Sequence, residues 1–373
     1  MKQVVAVTSK AQLEAFIDFP HDLYENDPCY VPELFIAQRD LLTPGKHPFH
    51  DHSPVQLFLA YDNGKVAGRI AAIFNKNHNA FNNTTDGFFG FFDCVNDKEI
   101  SSMLFSKAEQ WLKEQGATSI VGPANFSTNE TCGLLVKGFD TPPFAMMPYN
   151  KAYYESLIGN VGLHKKVDLI AYRFGEDGYD DKSVRLKEAI VNRLKTKGIV
   201  IRPVVKKNFQ AEVDKIREVY NSAWDRNLGF VPMTHKEFDY LAKDLKMILD
   251  TDFCLVAEKD GKLVGFALAI PDINQILINI RRGRLLPFGL FKLLFGMKKI
   301  NGIRVIALGV VEGYRKLGIE ACLYASIIEA YRKKKYKHCE ASWILEHNEL
   351  MNKALEHVKG VPHKRYRIFE KAI

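Results

Sequence analysis

The 373-residue sequence predicts an α/β fold made twice over, each half a mixed, mostly antiparallel sheet flanked by helices. Three observations predict it. A hairpin pattern occurs once in each half. Single residues further along recur in the same register. In both halves the hairpin is followed by a strand, a helix and a further strand.

The hairpins are residues 57–73 and 254–270, which superpose at an offset of 197. Six of the seventeen positions are identical: Ala60/Ala257, Gly64/Gly261, Lys65/Lys262, Gly68/Gly265, Ala72/Ala269 and Ile73/Ile270. Each is an apolar run, an Asn-Gly or Asp-Gly turn and a second apolar run. Those turn residues accept the positive φ that a two-residue hairpin turn requires. Downstream, Asn150/Asn348, Gly162/Gly360 and Lys166/Lys364 recur at an offset of 198. Each Asn is expected to open a helix and each Gly to close it. The third strand is expected at 87–95 and 304–311, the next helix at 100–116 and 318–336, and the strand after it at 119–122 and 340–345. In the second of these helices Ile319, Cys322, Leu323, Ile327, Ala330 and Tyr331 follow helical spacing, so one face is buried. The border between copies is expected in the polar stretch 175–181, giving domains 1–178 and 179–373, with a helix at 182–197 and a strand at 199–204 opening the second.

The composition is that of a globular chain, 47% hydrophobic and 26% charged, which excludes disordered and collagen-like classes. The six cysteines form no C-x-x-C pair, so zinc ribbons and thioredoxin-type chemistry have no support. No apolar run has the length of a membrane span and no secretory signal is read, so a cytoplasmic chain is expected. His47, His50, Asp51 and His52 cluster around Pro48, a pattern that suits a loop, and no metal is expected.

The net charge is +8, and its distribution is uneven. From Arg281 to Val311 there are seven basic residues and no acidic one. From Ile270 to Arg304 is 34 positions, whereas Ile73 to Phe88 is 15, so the second copy carries 19 extra residues. They fall on 281–300, where large apolar residues alternate with basic ones. A basic amphipathic stretch of this kind suits either an anionic membrane surface or packing against the sister domain.

The motif that carries chemistry is a strand, a short loop and a helix start over 306–321, with Arg315-x-x-Gly318 in the loop. Unpaired N–H groups at a helix start, with a glycine that lets a phosphate approach, make an anion site. This motif resembles the (Gln/Arg)-x-x-Gly-x-(Gly/Ala) signature of the GNAT superfamily, which grips the pyrophosphate of coenzyme A. Glu320 departs from the last motif position, and Leu355 stands where the usual tyrosine acid would be, seven residues after Asn348. Residues 122–130, 147–154 and 342–348 look like a bacterial tandem-GNAT family with members linked to ceramide synthesis.

The resemblance implies two tandem GNAT-like domains, the first degenerate and the second binding acyl-CoA. It places Leu308, Val310, Val311, Arg315, Lys316, Gly318, Ile319, Glu320 and Asn348 at the CoA site. The backbone N–H groups of Val310 and Val311 are the expected oxyanion donors. Candidate bases are Glu346 at a strand end, Asp272 after the second hairpin, and Glu130 after a first-copy strand. The first copy has Asp93 and Asp97 where phosphates would lie, so it is not expected to bind CoA in this way.

The expected activity is transfer of an acyl group from CoA to an amine, with a sphingoid base as the lipid candidate. The alternatives are a non-catalytic CoA- or lipid-binding protein and an N-acetyltransferase of a small soluble amine. Expected partners are acyl-CoA, the amine and an anionic membrane surface at which the chain is peripheral. No nucleic acid is expected, since no RNP or helix-turn-helix pattern accompanies the basic window.

Overall fold

The structure, a computed structural model, describes residues 1–175, 181–223 and 229–373, with side chains from 186 onward in the second stretch. The expected border at 175–181 therefore lies almost wholly outside the described residues. The chain forms two compact units. Unit 1 comprises Met1–Leu169, Asn274–Lys298 and Lys364–Ile373, and unit 2 comprises Ile170–Ile273 and Lys299–His363. Neither unit is continuous in the chain, because the basic insertion and the last residues both belong to unit 1.

Unit 1 runs β1 (Lys2–Ala6), α1 (Lys10–Leu23), α2 (Phe35–Leu42), β2 (Val55–Asp62), β3 (Lys65–Ile73), α3 (Lys76–Asn82), β4 (Asp86–Cys94), α4 (Lys98–Glu114), β5 (Ser119–Gly122), β6 (Leu134–Lys137), α5 (Tyr154–Asn160) and β7 (His164–Phe174), whose last residues pass into unit 2. β1 to β4 pair antiparallel in chain order, β4 and β5 pair parallel, and the C-terminal residues of the chain pair antiparallel with β5. The Asn63-Gly64 turn joins β2 to β3 with both residues at positive φ, as the sequence requires. Helix α4 lays Ile100, Leu104, Phe105, Ala108 and Leu112 against Phe89, Ile70 and Ile120 of the sheet.

Unit 2 runs α6 (Asp181–Lys195), β8 (Ile199–Pro203), α7 (Phe209–Ala223), α8 (His235–Ile248), β9 (Cys254–Lys259) and β10 (Lys262–Pro271). The chain then contributes α9 (Asn274–Leu277) and α10 (Gly289–Gly296) to unit 1. It returns as β11 (Gly302–Val310), α11 (Ile319–Lys333), β12 (His338–Leu345), α12 (Glu349–His357) and β13 (Val361–Ala372), the last crossing into unit 1 at Lys364. β8 to β11 are antiparallel, and β11 and β12 are parallel. One face packs under α11 through Ile303, Val310, Ile319, Cys322 and Leu323; the other carries Val219, Val256 and Phe266.

The repeat is exact in register at its centre. Ile73 faces Phe88 across β3–β4, and Ile270 faces Arg304 across β10–β11, the positions from which the 19-residue excess is counted. The two Asn markers differ in role. Asn348 caps α12 by accepting the Met351 N–H, whereas α5 opens at Tyr154 and the Asn150 side chain instead bridges Leu135 N and O at 2.7 and 3.0 Å. An amide that satisfies an extended backbone serves as well as one that caps, which spacing alone does not distinguish.

All six cysteines are buried thiols. No helix among the described residues is long and apolar enough to cross a membrane.

Candidate active site

In unit 2, β11 and β12 pair only from Gly302↔His338 to Val305↔Ala341 and separate beyond. Two parallel strands that part leave one edge of each without a partner strand. On its other side β11 stays paired with β10, with a bulge at Ile306 between Ala307 and Val305. Val311 donates its N–H to Val264 O at 3.0 Å, on the β10 side. Antiparallel alternation therefore turns the N–H groups of Leu308 and Val310 to the opposite side, into the gap. Of the expected donor pair, Val311 is thus committed to the sheet, and the N–H groups turned to the gap are those of Val310 and Leu308. The bulge decides this phase, and strand periodicity cannot foresee a bulge.

The loop after β11 begins at the open end of the gap. Arg315 is exposed, with Nε on Val310 O at 3.0 Å and a terminal nitrogen on Ala223 O at 3.2 Å. Lys316 is exposed and Gly318 N-caps α11, both at positive φ, and among the described residues no side chain caps that helix. A helix start of this kind offers its first N–H groups to an acceptor. Arg193 of α6 donates to Leu317 O at 2.9 Å and stands beside Gly318, a second cation on this loop that motif reading did not find. Ile319 is fully buried and offers only backbone, and Glu320 is half-buried in the first turn.

Unit 1 shows the same parting of strands, filled from within. Val95 donates to Ala67 O as Val311 does to Val264 O, which makes Cys94 the counterpart of Val310. The Cys94 N–H is taken by Tyr154 Oη at 3.0 Å, and its carbonyl by Tyr153 Oη at 2.8 Å. Asn125 Oδ1 accepts from Phe91 N, and Gly90 lets Ala124 O come within 2.3 Å of where a Cβ would stand. The Asp97 carboxylate caps α4 through Glu99 N and Ile100 N, so that helix carries its own anion. A cavity of about 150 Å³ remains in unit 1, lined among others by Tyr24, Glu33, Arg69, Asp93, Met146 and Tyr149. Arg69 and Asp93 pair at 2.8 Å within it, and burial raises the Asp93 carboxyl despite that partner. Glu33 keeps open surface toward the cavity, yet the surrounding protein raises its carboxyl too.

The candidate bases fall in different places. Asp272 is buried after β10, its N–H on Gly302 O. Glu346 is half-buried one residue past β12, at the open end of the gap. Glu130 lies in unit 1, 3.7 Å from His47 Nε2. Asn348 is an exposed helix cap. Leu355 is buried in the core, so α12 places no tyrosine there. Tyr324 of α11 has its hydroxyl on Met351 Sδ at 3.3 Å, and burial pushes its pKa up to about 12. The histidines near Pro48 bond apart from one another: His50 to Leu41 O, His52 to Ser53 Oγ.

A buried polar chain crosses the point where β11 and β12 part, on the face away from α11. Arg304 Nε donates to Ser342 Oγ at 2.8 Å, and Ser342 Oγ donates to Glu340 Oε1 at 2.7 Å. The other Glu340 oxygen holds His363 Nε2 at 2.7 Å. Glu340 has no exposed surface, and Arg304 lies over the Trp343 ring at 5.1 Å. A carboxylate that fixes an imidazole is the arrangement by which a histidine is oriented as a base. In sequence the members are scattered over 304–363 with no motif to join them.

No family model matches the chain. Among curated proteins it is 38% identical over 372 residues to protein YghO of Escherichia coli, covering 98% of this chain and 94% of that one. It is 35% identical over 377 residues to the bacterial ceramide synthase of Caulobacter vibrioides, covering 99% and 97%. Among solved structures, a tandem GNAT protein from the clavulanic acid biosynthesis pathway aligns over 100% of this chain and 98% of its own, with a TM-score of 0.58 at 10% identity. A GCN5-related N-acetyltransferase from Sphaerobacter thermophilus aligns over 100% and 95%, with a TM-score of 0.52 at 12% identity. Fold and sequence meet in one assignment: the chain has the fold of the tandem GNAT proteins and belongs to the family that includes the Caulobacter ceramide synthase and YghO.

Proposed function

We propose that the chain is an acyl-CoA-dependent N-acyltransferase with its donor site in unit 2 and a lipid amine, such as a sphingoid base, as acceptor. The observation that carries this reading is the contrast between two copies of one framework. Unit 2 leaves a strand edge and a helix N-terminus open beside Arg315 and Arg193, while unit 1 fills both with its own hydroxyls and the Asp97 carboxylate. A loop with two arginines and uncapped N–H groups fits a pyrophosphate, and a narrow gap with inward N–H groups fits a pantetheine arm and a thioester carbonyl.

Acyl-CoA, when bound, supplies the acyl group as a thioester. The N–H groups of Leu308 and Val310 then stand where negative charge develops on the carbonyl oxygen. The attacking amine must first lose a proton, and His363, oriented by Glu340, joins Glu346 and Asp272 as candidates to take it. Tyr324 holds its proton at neutral pH and is the candidate donor to the departing thiolate. The acceptor class rests on the Caulobacter relative, whose name is that of a ceramide synthase.

The test is thiol release by the full chain from acyl-CoAs of several lengths, with sphingoid bases and small soluble amines compared. Amine-dependent release that fails in Arg315→Gln is expected. Tight CoA binding with no release for any amine would leave a non-catalytic binding protein, and release with soluble amines alone would reassign the acceptor.

A further inference from the structure

We propose that residues 286–298 of unit 1, which include α10, form a bilayer-docking element that seats the protein on an anionic phospholipid surface. This stands on the surface itself and does not need the acyl-transfer reading. Leu286, Phe288, Phe291, Leu294 and Phe295 are between 58% and 77% exposed, with Leu290 at 40%. A water-facing helix normally buries such residues and shows charges. Here the helix rests on its glycines. A Cβ on Gly289 would meet Arg284 O at 2.4 Å, and one on Gly296 would meet Ile276 at 2.8 Å, so these positions lie against the protein while the large side chains point out.

The element is fixed in this attitude. Arg282 pairs with Asp22 and, at 3.3 Å, with Asp18; Arg284 pairs with Asp18 at 2.8 Å and covers the Phe35 ring at 3.9 Å. Gly283, at φ +62°, closes against Glu33 O, and Lys292 Nζ is held by Asn279 O at 2.7 Å. Of the arginines expected to face lipid, Arg282 and Arg284 thus serve as anchors, a role their sequence neighbours could not show. The charges left to the surface are Arg281, Lys292 and Lys298, all exposed and, among the described residues, without an acidic partner. Six exposed apolar side chains and three exposed cations on one segment that carries no acidic residue of its own match a layer that is apolar within and anionic at its face.

The test is co-sedimentation of the full chain with vesicles of phosphatidylcholine containing phosphatidylglycerol, against vesicles of phosphatidylcholine alone. Binding to the anionic vesicles is expected, falling steeply with added salt. Phe288→Ser/Phe291→Ser/Phe295→Ser should lower the bound fraction at least tenfold with an unchanged melting temperature, since those rings are in water. Should that variant melt early, Phe295→Trp in the otherwise native chain supplies the reading, as a blue shift of emission on anionic vesicles. A parent that stays in the supernatant, a well-folded triple variant that sediments like the parent, or a parent dimer that the triple variant turns into monomers overturns the proposal. Thiol release with a soluble amine and no vesicles is read separately, so failure here leaves the acyl-transfer reading intact.

Discussion

The hydroxyl of Tyr154 holds the Cys94 N–H at 3.0 Å, at the position where unit 2 presents Val310. One framework has thus been closed in one copy and left open in the other. CoA should therefore bind once per chain. Calorimetric titration should give a stoichiometry near one, unchanged in Tyr154→Phe. Gly318→Asp should abolish binding, because it sets charge and bulk beside Arg193 and the uncapped N–H groups. Arg193→Gln, which alters no backbone, should weaken it about tenfold, in keeping with the strength of one charge-assisted hydrogen bond. Two sites per chain would refute the assignment of unit 1.

Loss of a general base typically lowers a rate by ~10²–10⁴. His363→Gln should show a loss of that size in kcat with CoA affinity unchanged, and Glu340→Gln a smaller one, since it removes only the orienting partner. Glu346→Gln and Asp272→Asn are the parallel arms. If either of these alone carries the full loss while His363→Gln turns over normally, the base is that carboxylate.

Asp168 has no exposed surface and is gripped by Arg367 Nε at 2.7 Å and by Arg365 at 3.1 Å. Burial alone would raise its carboxyl, but Arg367, Arg365 and Lys165 hold it down to about 2. A depressed folded pKa contributes stability above the ordinary value of 3.8, and that stability is lost as pH falls toward about 2. The parent's melting temperature should drop through this window. Asp168→Asn should flatten the drop and cost about 3 kcal/mol at neutral pH, near the lower end for a broken buried pair because the arginines reach water. Equal acid sensitivity in both proteins would show that the pair contributes nothing measurable.

Gly283 has φ +62°, and a Cβ there would stand 1.7 Å from Glu33 O. Gly283→Ala should destabilise unit 1 by about 2–4 kcal/mol, combining left-handed strain with a backbone clash. Faster proteolysis within 281–300 should accompany it. A variant as protease-resistant as the parent would show that the insertion is not anchored there.

Much of the fold was legible because its signals are local. The Asp260-Gly261 turn, the helical spacing of Ile319, Cys322 and Leu323, and the 19-residue excess each reflect neighbouring residues and needed no partner to be read. Arg315 and Gly318 were legible for the same reason: a loop-to-helix start is built from consecutive residues, so the anion site proposed there is written in order. The sequence alone thus determined the doubled architecture, the Arg315-x-x-Gly318 loop ahead of a helix, and the lack of that loop in the first copy.

Only the tertiary structure decided which N–H groups face the gap, since one bulge at Ile306 changes the phase of every residue after it. It alone joined Arg304, Ser342, Glu340 and His363, whose contacts run between strands far apart in the chain. It also divided one basic segment into anchoring arginines and exposed phenylalanines. The physical reason is common to all three. A side chain's charge and size belong to its residue, but its burial and its partner belong to the segment folded against it, and that segment is set by the packing of the whole unit.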